Sequence, residues 1–327
     1  MKNTEVSGVI RLKKQGPSTV LEYTRETLDE PGENEVLLKQ EAIAVNFVDV
    51  MFRNGTFPLN HFPVTIGVEA VGTIEQVGHG AEDFNIGDRV GYYFSLGAYA
   101  ARRLVSTRDL IRIPDDISFD QAASLLAKGL TARMLVKQAY QVKPDDIVLV
   151  HAAAGGVGSL VAKWAKSIGA TVIGTVGNVS KKDLALGYGL DHVVALDSEN
   201  LEEVILAVTN NQGVDVVYDG VGKATFEKTI PVVSGGGTVV LYGTASGEPQ
   251  IDSANLNSKH IRLMRPSTGQ YINSKKVLED AAEDLFEAVR SGALGEINPT
   301  IYPLAEAGRA HQDLEASKTT GSLVLHP

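Results

Sequence analysis

The sequence predicts an α/β protein: a doubly wound, six-stranded parallel sheet preceded by a β-rich first part. Three observations predict it. Asp146–Ala170 reads as a buried strand, a tight glycine turn and a helix. Strand and helix candidates then alternate to about residue 266, as a parallel sheet with right-handed crossovers requires. Before about residue 120, by contrast, short apolar runs alternate with turn signals, the texture of a small barrel or sandwich.

The elements can be justified in order. Gly8-Val9-Ile10, Val36-Leu37-Leu38, Ala70–Ile74, Gly87–Gly91 and Leu110–Pro114 are short strand candidates, separated by turns such as Gly16-Pro17 and Asp29–Gly32. Asn46–Arg53 suits one short helix, with Asn54-Gly55 turning out of it. Ser118 followed by Gln121 is a capping-box pattern, opening a largely helical stretch to Ala139 that is expected to break near Lys128-Gly129. The expected parallel strands are Asp146–His151, Thr171–Val176, His192–Leu196, Val214–Tyr218, Thr238–Tyr242 and Ile261–Arg265, in the order 3-2-1-4-5-6. Helical segments at Lys181–Gly187, Leu201–Thr209 and Ala224–Val232 separate most of them, and Glu279–Arg290 adds an amphipathic helix. The tail from Pro299 mixes strand and helix, and is expected to return to the first part.

The glycine turn carries the first functional signal. Ile147–Val150 is β-favouring and apolar. Val157, Leu160, Val161, Trp164, Ala165 and Ile168 then share one helical face, which Gly169 ends. Between them, Ala153-Ala154-Gly155-Gly156-Val157-Gly158 is the dinucleotide fingerprint G-x-G-x-x-G with Ala153 in the first glycine's place. Gly155 would admit a pyrophosphate, Gly158 would let the helix pack close, and the helix N-terminus would face the phosphates. These residues define a Rossmann domain of about 124–266.

An NAD site places an acidic residue about 20 positions beyond the glycines, where it holds the ribose 2′-hydroxyl. Here strand two ends Val176-Gly177-Asn178-Val179-Ser180-Lys181-Lys182, and Asp183 is the next acid. Lys181 as a point charge, with Ser180 and Asn178 as donors, suits a 2′-phosphate, so NADPH is expected over NADH.

Composition narrows the classes. The chain has 327 residues, 43% hydrophobic, enough for about two domains with real cores. A formal net charge of −10 disfavours nucleic acid or an anionic membrane as the main partner. With no cysteine there is neither a disulfide framework nor a thiolate metal site. No two of the seven histidines have the spacing of a paired metal site, and no G-x-S-x-G elbow occurs. Gly220-Val221-Gly222-Lys223 fails as a P-loop, because Val217 and Ala224 stand where Gly and Ser/Thr belong. His151 reads as a packed, hydrogen-bonded residue rather than a base. The opening Met1–Glu5 is polar, unlike a signal peptide, and no apolar run reaches the ~20 residues of a membrane span, so a cytoplasmic protein is expected.

The chain resembles the medium-chain dehydrogenase/reductase superfamily, specifically the zinc-independent quinone oxidoreductases related to zeta-crystallin. The likeness covers essentially the whole chain. It rests on Ala44–Asp49, Gly67–Gly72, Gly87-Asp88-Arg89-Val90, Lys128–Ala132, His151–Gly158, Val217-Tyr218-Asp219, Arg265-Pro266-Ser267 and Thr319-Thr320-Gly321. The resemblance implies a GroES-like β-barrel catalytic domain built from both chain ends, 1–123 and 267–327, around a Rossmann NADPH-binding domain, 124–266. It further implies bound NADPH, a homodimer and hydride transfer to a quinone. Zinc members carry a ligand Cys before the Asp of the first motif and a ligand His between the Gly and Glu of the second. Here those places hold residues around Asn46 and Val68, and the four-cysteine structural lobe is absent. A reductase without zinc is implied.

Carried over by position, the catalytic residues are Asn46, Lys128 and Thr131, with Asn46 and Thr131 also near the nicotinamide. Gly155, Gly156 and Val157 are placed at the pyrophosphate, Lys181 at the 2′-phosphate, and Tyr242 and Gly243 beside the nicotinamide. Ala154, Gly177 and Lys318 are further cofactor-binding positions. The family pattern departs at Leu196, where a Tyr often covers the 2′-phosphate, at Met51 and Phe57, which replace two substrate-pocket tyrosines, and at Ser317, which replaces an Arg. Two other functions are expected alternatives: reduction of the C=C bond of a 2-alkenal or enone, and NADPH binding without catalysis.

Overall fold

The computed structural model describes residues 6–327, so the reading of the polar opening lies outside the described residues. The chain divides into two compact units, Met1–Ala127 with Ile297–Pro327, and Lys128–Glu296.

The first unit begins with β1 (Val6–Leu12), β2 (Leu21–Thr27) and β3 (Glu35–Val45). Next come α1 (Phe47–Asn54), β4 (Val64–Thr65), β5 (Glu69–Val77), β6 (Arg89–Tyr93), β7 (Arg102–Ser106) and β8 (Leu110–Arg112). The helix α2 (Phe119–Met134) carries the chain across the division. Its entry is the predicted capping box: the Ser118 N–H donates to Gln121 Oε1 at 3.0 Å, and the Gln121 N–H to Ser118 Oγ at 3.2 Å.

The second unit holds β9 (Ile147–Val150), α3 (Gly156–Ile168), β10 (Thr171–Val176), α4 (Lys182–Leu186) and β11 (His192–Ala195). It continues through α5 (Leu201–Val208), β12 (Val214–Asp219), α6 (Phe226–Thr229), β13 (Val233–Leu241), α7 (Ser253–Ser258) and β14 (Arg262–Met264). The short α8 (Thr268–Tyr271) and the long α9 (Lys275–Arg290) complete it. The chain then re-enters the first unit as β15 (Thr300–Pro303), α10 (Ala307–Glu315) and β16 (Leu323–His326).

In the first unit one sheet runs β2-β1-β4 and a larger one runs β15-β16-β3-β5-β6-β8, with β7 also on β3. The Val9–Ala100 bridge links a β1 residue to the segment before β7. Both sheets face one core, in which Ile10, Leu38, Ile43, Tyr99 and Leu325 are buried. The C-terminal β16 pairs antiparallel with β3, Leu323 opposite Val45 and Leu325 opposite Ile43, so segments from both halves of the sequence share this sheet. Register shifts at Leu37/Leu38 and Gln40/Ala42 bend the long β3, as bulges do.

In the second unit all six strands of the sheet are parallel, in the order β11-β10-β9-β12-β13-β14, which is the predicted 3-2-1-4-5-6. The apolar face of α3 is buried at Leu160, Val161, Trp164 and Ala165. The carboxyl ends of β9, β10, β12 and β13 lie together, and the glycine turn opens there.

Two expectations need correction. α2 does not break at Lys128-Gly129; it continues to Met134 and widens into a π-helical turn, Leu135–Ala139. A Cβ on Gly129 would lie 2.5 Å from Leu285 Cδ1, so this glycine serves close packing of α9 rather than a break. Second, α9 belongs with the parallel sheet and not with the barrel half of the chain. Its Asp284 accepts from Arg133 Nε and Lys137 Nζ, each at 2.6 Å, which ties it to α2 and the turn beyond. Among the described residues, no helix is long and apolar enough to cross a membrane.

Candidate active site

The turn after β9 is built by one left-handed residue. Ala152 has φ 53°, and its carbonyl accepts the Gly155 N–H at 2.8 Å. Ala153, in the first glycine's place, needs no such conformation: it is buried and donates its N–H to the Thr175 carbonyl at 2.9 Å. Gly155 caps α3 in extended conformation. A Cβ on Gly158 would meet the Ala152 carbonyl oxygen at 2.3 Å, so the third glycine is required by close approach. The first-turn amides of α3 remain for a ligand, as at any helix start. The turn therefore fits a pyrophosphate, with Ala154, Gly155, Gly156 and Val157 at its rim.

Beneath it, His151 is fully buried between two threonines. Nδ1 is 2.9 Å from Thr175 Oγ1, and Nε2 is 2.8 Å from Thr229 Oγ1. Thr229 donates its own proton to the Thr225 carbonyl at 3.0 Å, so it accepts from His151 Nε2–H, and Thr175 donates to Nδ1. Burial holds the imidazole below its usual pKa. His151 is thus a neutral strut of the turn, as its sequence context suggests.

A third loop end converges here. Asp219, at the end of β12, is fully buried and accepts from the Val221 N–H at 2.8 Å, the Gly222 N–H at 3.0 Å and the Thr225 hydroxyl at 2.8 Å. Its carbonyl accepts the Tyr242 N–H at 2.9 Å. The ring of Tyr242 covers Gly220, where a Cβ would lie 2.7 Å from it. The sequence reading places Tyr242 and Gly243 in the site but holds Asp219 only within a family motif, because its partners are spread over the following loop.

Past β10, the Asn178 side chain accepts the Ser180 N–H at 3.0 Å and its hydroxyl at 2.5 Å. Lys182 is held by Glu199 at 2.7 Å. Lys181 keeps a partly exposed amine, which burial holds below the usual lysine range. Gly177 opens on space, with no atom within 4 Å of a Cβ built there. The sequence reading missed Asp197. It lies two residues beyond β11, and its Oδ2 accepts the Val179 N–H at 3.3 Å, which brings a carboxylate to this loop.

Lys128 and Thr131 lie one turn apart on α2, with Lys128 7% exposed. Asn46 and Lys318 belong to the first unit. Lys318 is exposed between α10 and β16. Asn46 caps α1 and is almost wholly buried. Its N–H donates to Asp49 Oδ2 at 2.8 Å, and its Nδ2 donates to Glu69 Oε2 at 2.8 Å. Glu69 Oε1 accepts the Ala127 N–H at 2.8 Å. Asp49 Oδ2 also accepts from the Tyr99 hydroxyl at 3.2 Å.

Comparison with known proteins matches this architecture twice. Residues 32–115 match the alcohol dehydrogenase GroES-like domain family, and residues 156–286 the zinc-binding dehydrogenase family. The quinone oxidoreductase of Salmonella typhimurium is 39% identical over 323 residues, which is 97% of this chain and 99% of that protein. The chain belongs to the quinone oxidoreductase family of medium-chain dehydrogenases/reductases. The Escherichia coli quinone oxidoreductase, solved in complex with NADPH, superposes with a TM-score of 0.94 at 37% identity, covering 98% of this chain and 100% of the other. A 2-haloacrylate reductase of Burkholderia sp. is 37% identical over 96% of this chain and 97% of its own length.

One family model carries zinc in its name, and the donor set of this quinone oxidoreductase-family chain does not fit that ion. Val68 is apolar and 1% exposed, Asn46 offers an amide whose nitrogen is bonded to Glu69, and the chain has no cysteine. Among the described residues, no group of three or more His, Cys, Asp or Glu could hold a metal ion.

Proposed function

We propose that this chain is an NADPH:quinone reductase that works without zinc, with the first unit as catalytic domain and the second as NADPH-binding domain. One observation carries the reading: a whole-chain match to quinone oxidoreductases in a chain that has no cysteine and whose Val68 is apolar and buried. The bound cofactor supplies the hydride, and the protein orients and shields it. Gly155, Gly156 and Val157 hold the pyrophosphate through α3, with Ala154 and Gly177 lining the approach. Lys181 meets the 2′-phosphate, and Lys318 is a further cofactor-binding residue. Tyr242 and Gly243 flank the nicotinamide, and Thr131 supports it. Asn46 donates to the carboxamide or to the acceptor carbonyl, and Lys128 and Thr131 hold the charge that develops on the acceptor oxygen. No side chain in the set is a strong general acid, so the proton comes from water. A cytoplasmic homodimer completes the reading.

A second reading is reduction of an electron-poor C=C bond. The 2-haloacrylate reductase relative favours it, as do Met51 and the half-exposed Phe57, which is T-stacked on Phe52 at 5.6 Å and offers apolar surface. The test follows NADPH oxidation by the purified protein against quinones, 2-alkenals, enones and 2-haloacrylate. Rapid turnover of quinones alone supports the first reading. Turnover of the alkenes with sluggish quinones replaces it with the second. Tight NADPH binding without oxidation by any acceptor leaves a binding protein.

A further inference from the structure

Glu69 is a carboxylate with 0% exposure, and burying such a group is costly unless both oxygens are satisfied. They are: Oε1 takes the Ala127 N–H and Oε2 takes Asn46 Nδ2, each at 2.8 Å. A group that accepts on both oxygens fixes the polarity of its neighbour. An asparagine amide can be turned either way round, but only its nitrogen can face this carboxylate. The Asn46 oxygen is then directed to the start of α1, into the capping box with Asp49. What the residue retains for a ligand is its second Nδ2 hydrogen, a donor.

We propose that Glu69 is a positioning residue, which acts through Asn46 to hold the site as a hydrogen-bond donor and so selects acceptors that bear a carbonyl oxygen. The inference rests on the reading of Asn46 as the residue that meets the acceptor or carboxamide. The carboxylate is required, and not just a polar group of its size. In Glu69→Gln a single oxygen must serve either Ala127 or Asn46. If it serves Ala127, the new amide nitrogen faces Asn46 and turns it over, which breaks the capping box and presents an acceptor.

The experiment compares Glu69→Gln, Asn46→Ala, their combination, and the exchange Glu69→Gln/Asn46→Asp. The exchange rebuilds a hydrogen bond between the two positions, now donated by the glutamine, but leaves no donor for a ligand. Glu69→Gln is expected to lower kcat for a quinone about 10- to 100-fold, less than the ~10²–10³-fold that outright removal of an oriented donor costs, because the donor is turned and not removed. NADPH affinity, read by fluorescence titration, is expected to change less than about threefold. The combination with Asn46→Ala should be no slower than Asn46→Ala alone, and the exchange should regain thermal stability without regaining kcat. In protein labelled with ¹⁵N-asparagine, the Asn46 side-chain amide signal should shift in Glu69→Gln without cofactor or acceptor present.

If Asn46→Ala lowers kcat while Glu69→Gln keeps both kcat and the amide signal of the parent, the positioning role is overturned and the reading of Asn46 stands. If Asn46→Ala leaves kcat within about twofold, that reading itself falls. Recovery of kcat by the exchange would show that any bond between the two positions suffices, which also overturns the proposal. Should Glu69→Gln fail to fold, the parent's amide signal decides: an Asn46 amide in rapid exchange with solvent overturns the fixed orientation.

Discussion

The carbonyl oxygen of Ala152 stands 2.3 Å from the point that a Cβ on Gly158 would occupy. Helix and turn approach as closely here as backbones can, and the left-handed Ala152, φ 53°, aims that carbonyl inward. Gly158→Ala must push α3 away from β9 and the turn. Overpacking of this kind costs about 1–3 kcal/mol. The loss should appear in chemical unfolding, together with weaker NADPH binding by fluorescence titration. Ala152→Gly is the contrasting variant. It relieves a left-handed alanine worth about 1–2 kcal/mol and adds unfolded-state freedom worth about 0.5–1 kcal/mol, so stability should hold or rise slightly. Equal losses in both variants would contradict the close-approach account.

The first unit should lose stability in acid through one histidine. His311 is fully buried, with Nε2 2.8 Å from the Tyr99 hydroxyl and no partner at Nδ1 among the described atoms. Burial, and then the Arg53 guanidinium, hold its pKa down to about 3, against 6.5 for an ordinary imidazole. The unfolded chain therefore takes up this proton first as pH falls. Stability attributable to His311 is intact above about pH 6.5 and is lost progressively down to about pH 3. His311→Gln removes the titration and should flatten the dependence of urea-unfolding stability on pH across that window. Parallel curves for both proteins would exclude His311 as the acid-sensitive group.

Arg53 supplies a second test of the same interior. It is 2% exposed and forms a bidentate pair with Glu315, at 2.8 and 2.7 Å, while Nε donates to the Gly16 carbonyl at 3.0 Å. Glu315→Ala strands a buried guanidinium. Because the Glu315 side chain is 36% exposed, water can replace part of the loss, so the cost should fall near 2 kcal/mol, below the ~3–5 kcal/mol of a fully buried pair. Arg53→Met/Glu315→Leu should recover much of it, since apolar replacement of a buried pair is often neutral. Thermal unfolding of the three proteins measures both effects.

What the sequence made legible was whatever depends on local pattern. The six parallel strands are apolar runs bounded by glycines and polar turns, and each strand's place follows from the alternation with helices. The Ser118–Gln121 cap and the Asn46–Gly55 turn of helix likewise lie within a few residues. The misreadings have one physical cause. Gly129 reads as a helix breaker locally, but its reason is Leu285, far along the chain. α9 falls within the barrel range 267–327 that the resemblance implies, until Asp284 is seen against Arg133 and Lys137. The site divides the same way. The glycine turn and the Lys181 loop are contiguous motifs. Glu69 facing Asn46, Asp197 facing Val179, and His311 meeting Tyr99 across 212 positions are not, because only folding brings such partners together.

The loop after β10, proposed above as the ribose end of the cofactor site, combines opposite charges in Lys181 and Asp197. Lys181 is half-buried, and that partial burial disfavours its charge. A 2′-phosphate would restore that charge by pairing with it. Asp197, bonded to the Val179 N–H, places a carboxylate on the same loop, where it would repel the phosphate. Lys181→Ala should therefore raise the Kd for NADPH about 10-fold or more and leave NADH nearly unchanged. Asp197→Asn should lower the Kd for NADPH a few-fold, again sparing NADH. Both effects should shrink as salt rises, because these groups are exposed to screening. Fluorescence titration of both cofactors at low and high salt measures all three. A Lys181→Ala effect equal for the two cofactors would remove Lys181 from the phosphate site, and an Asp197→Asn effect equal for both would make Asp197 a support of the loop alone.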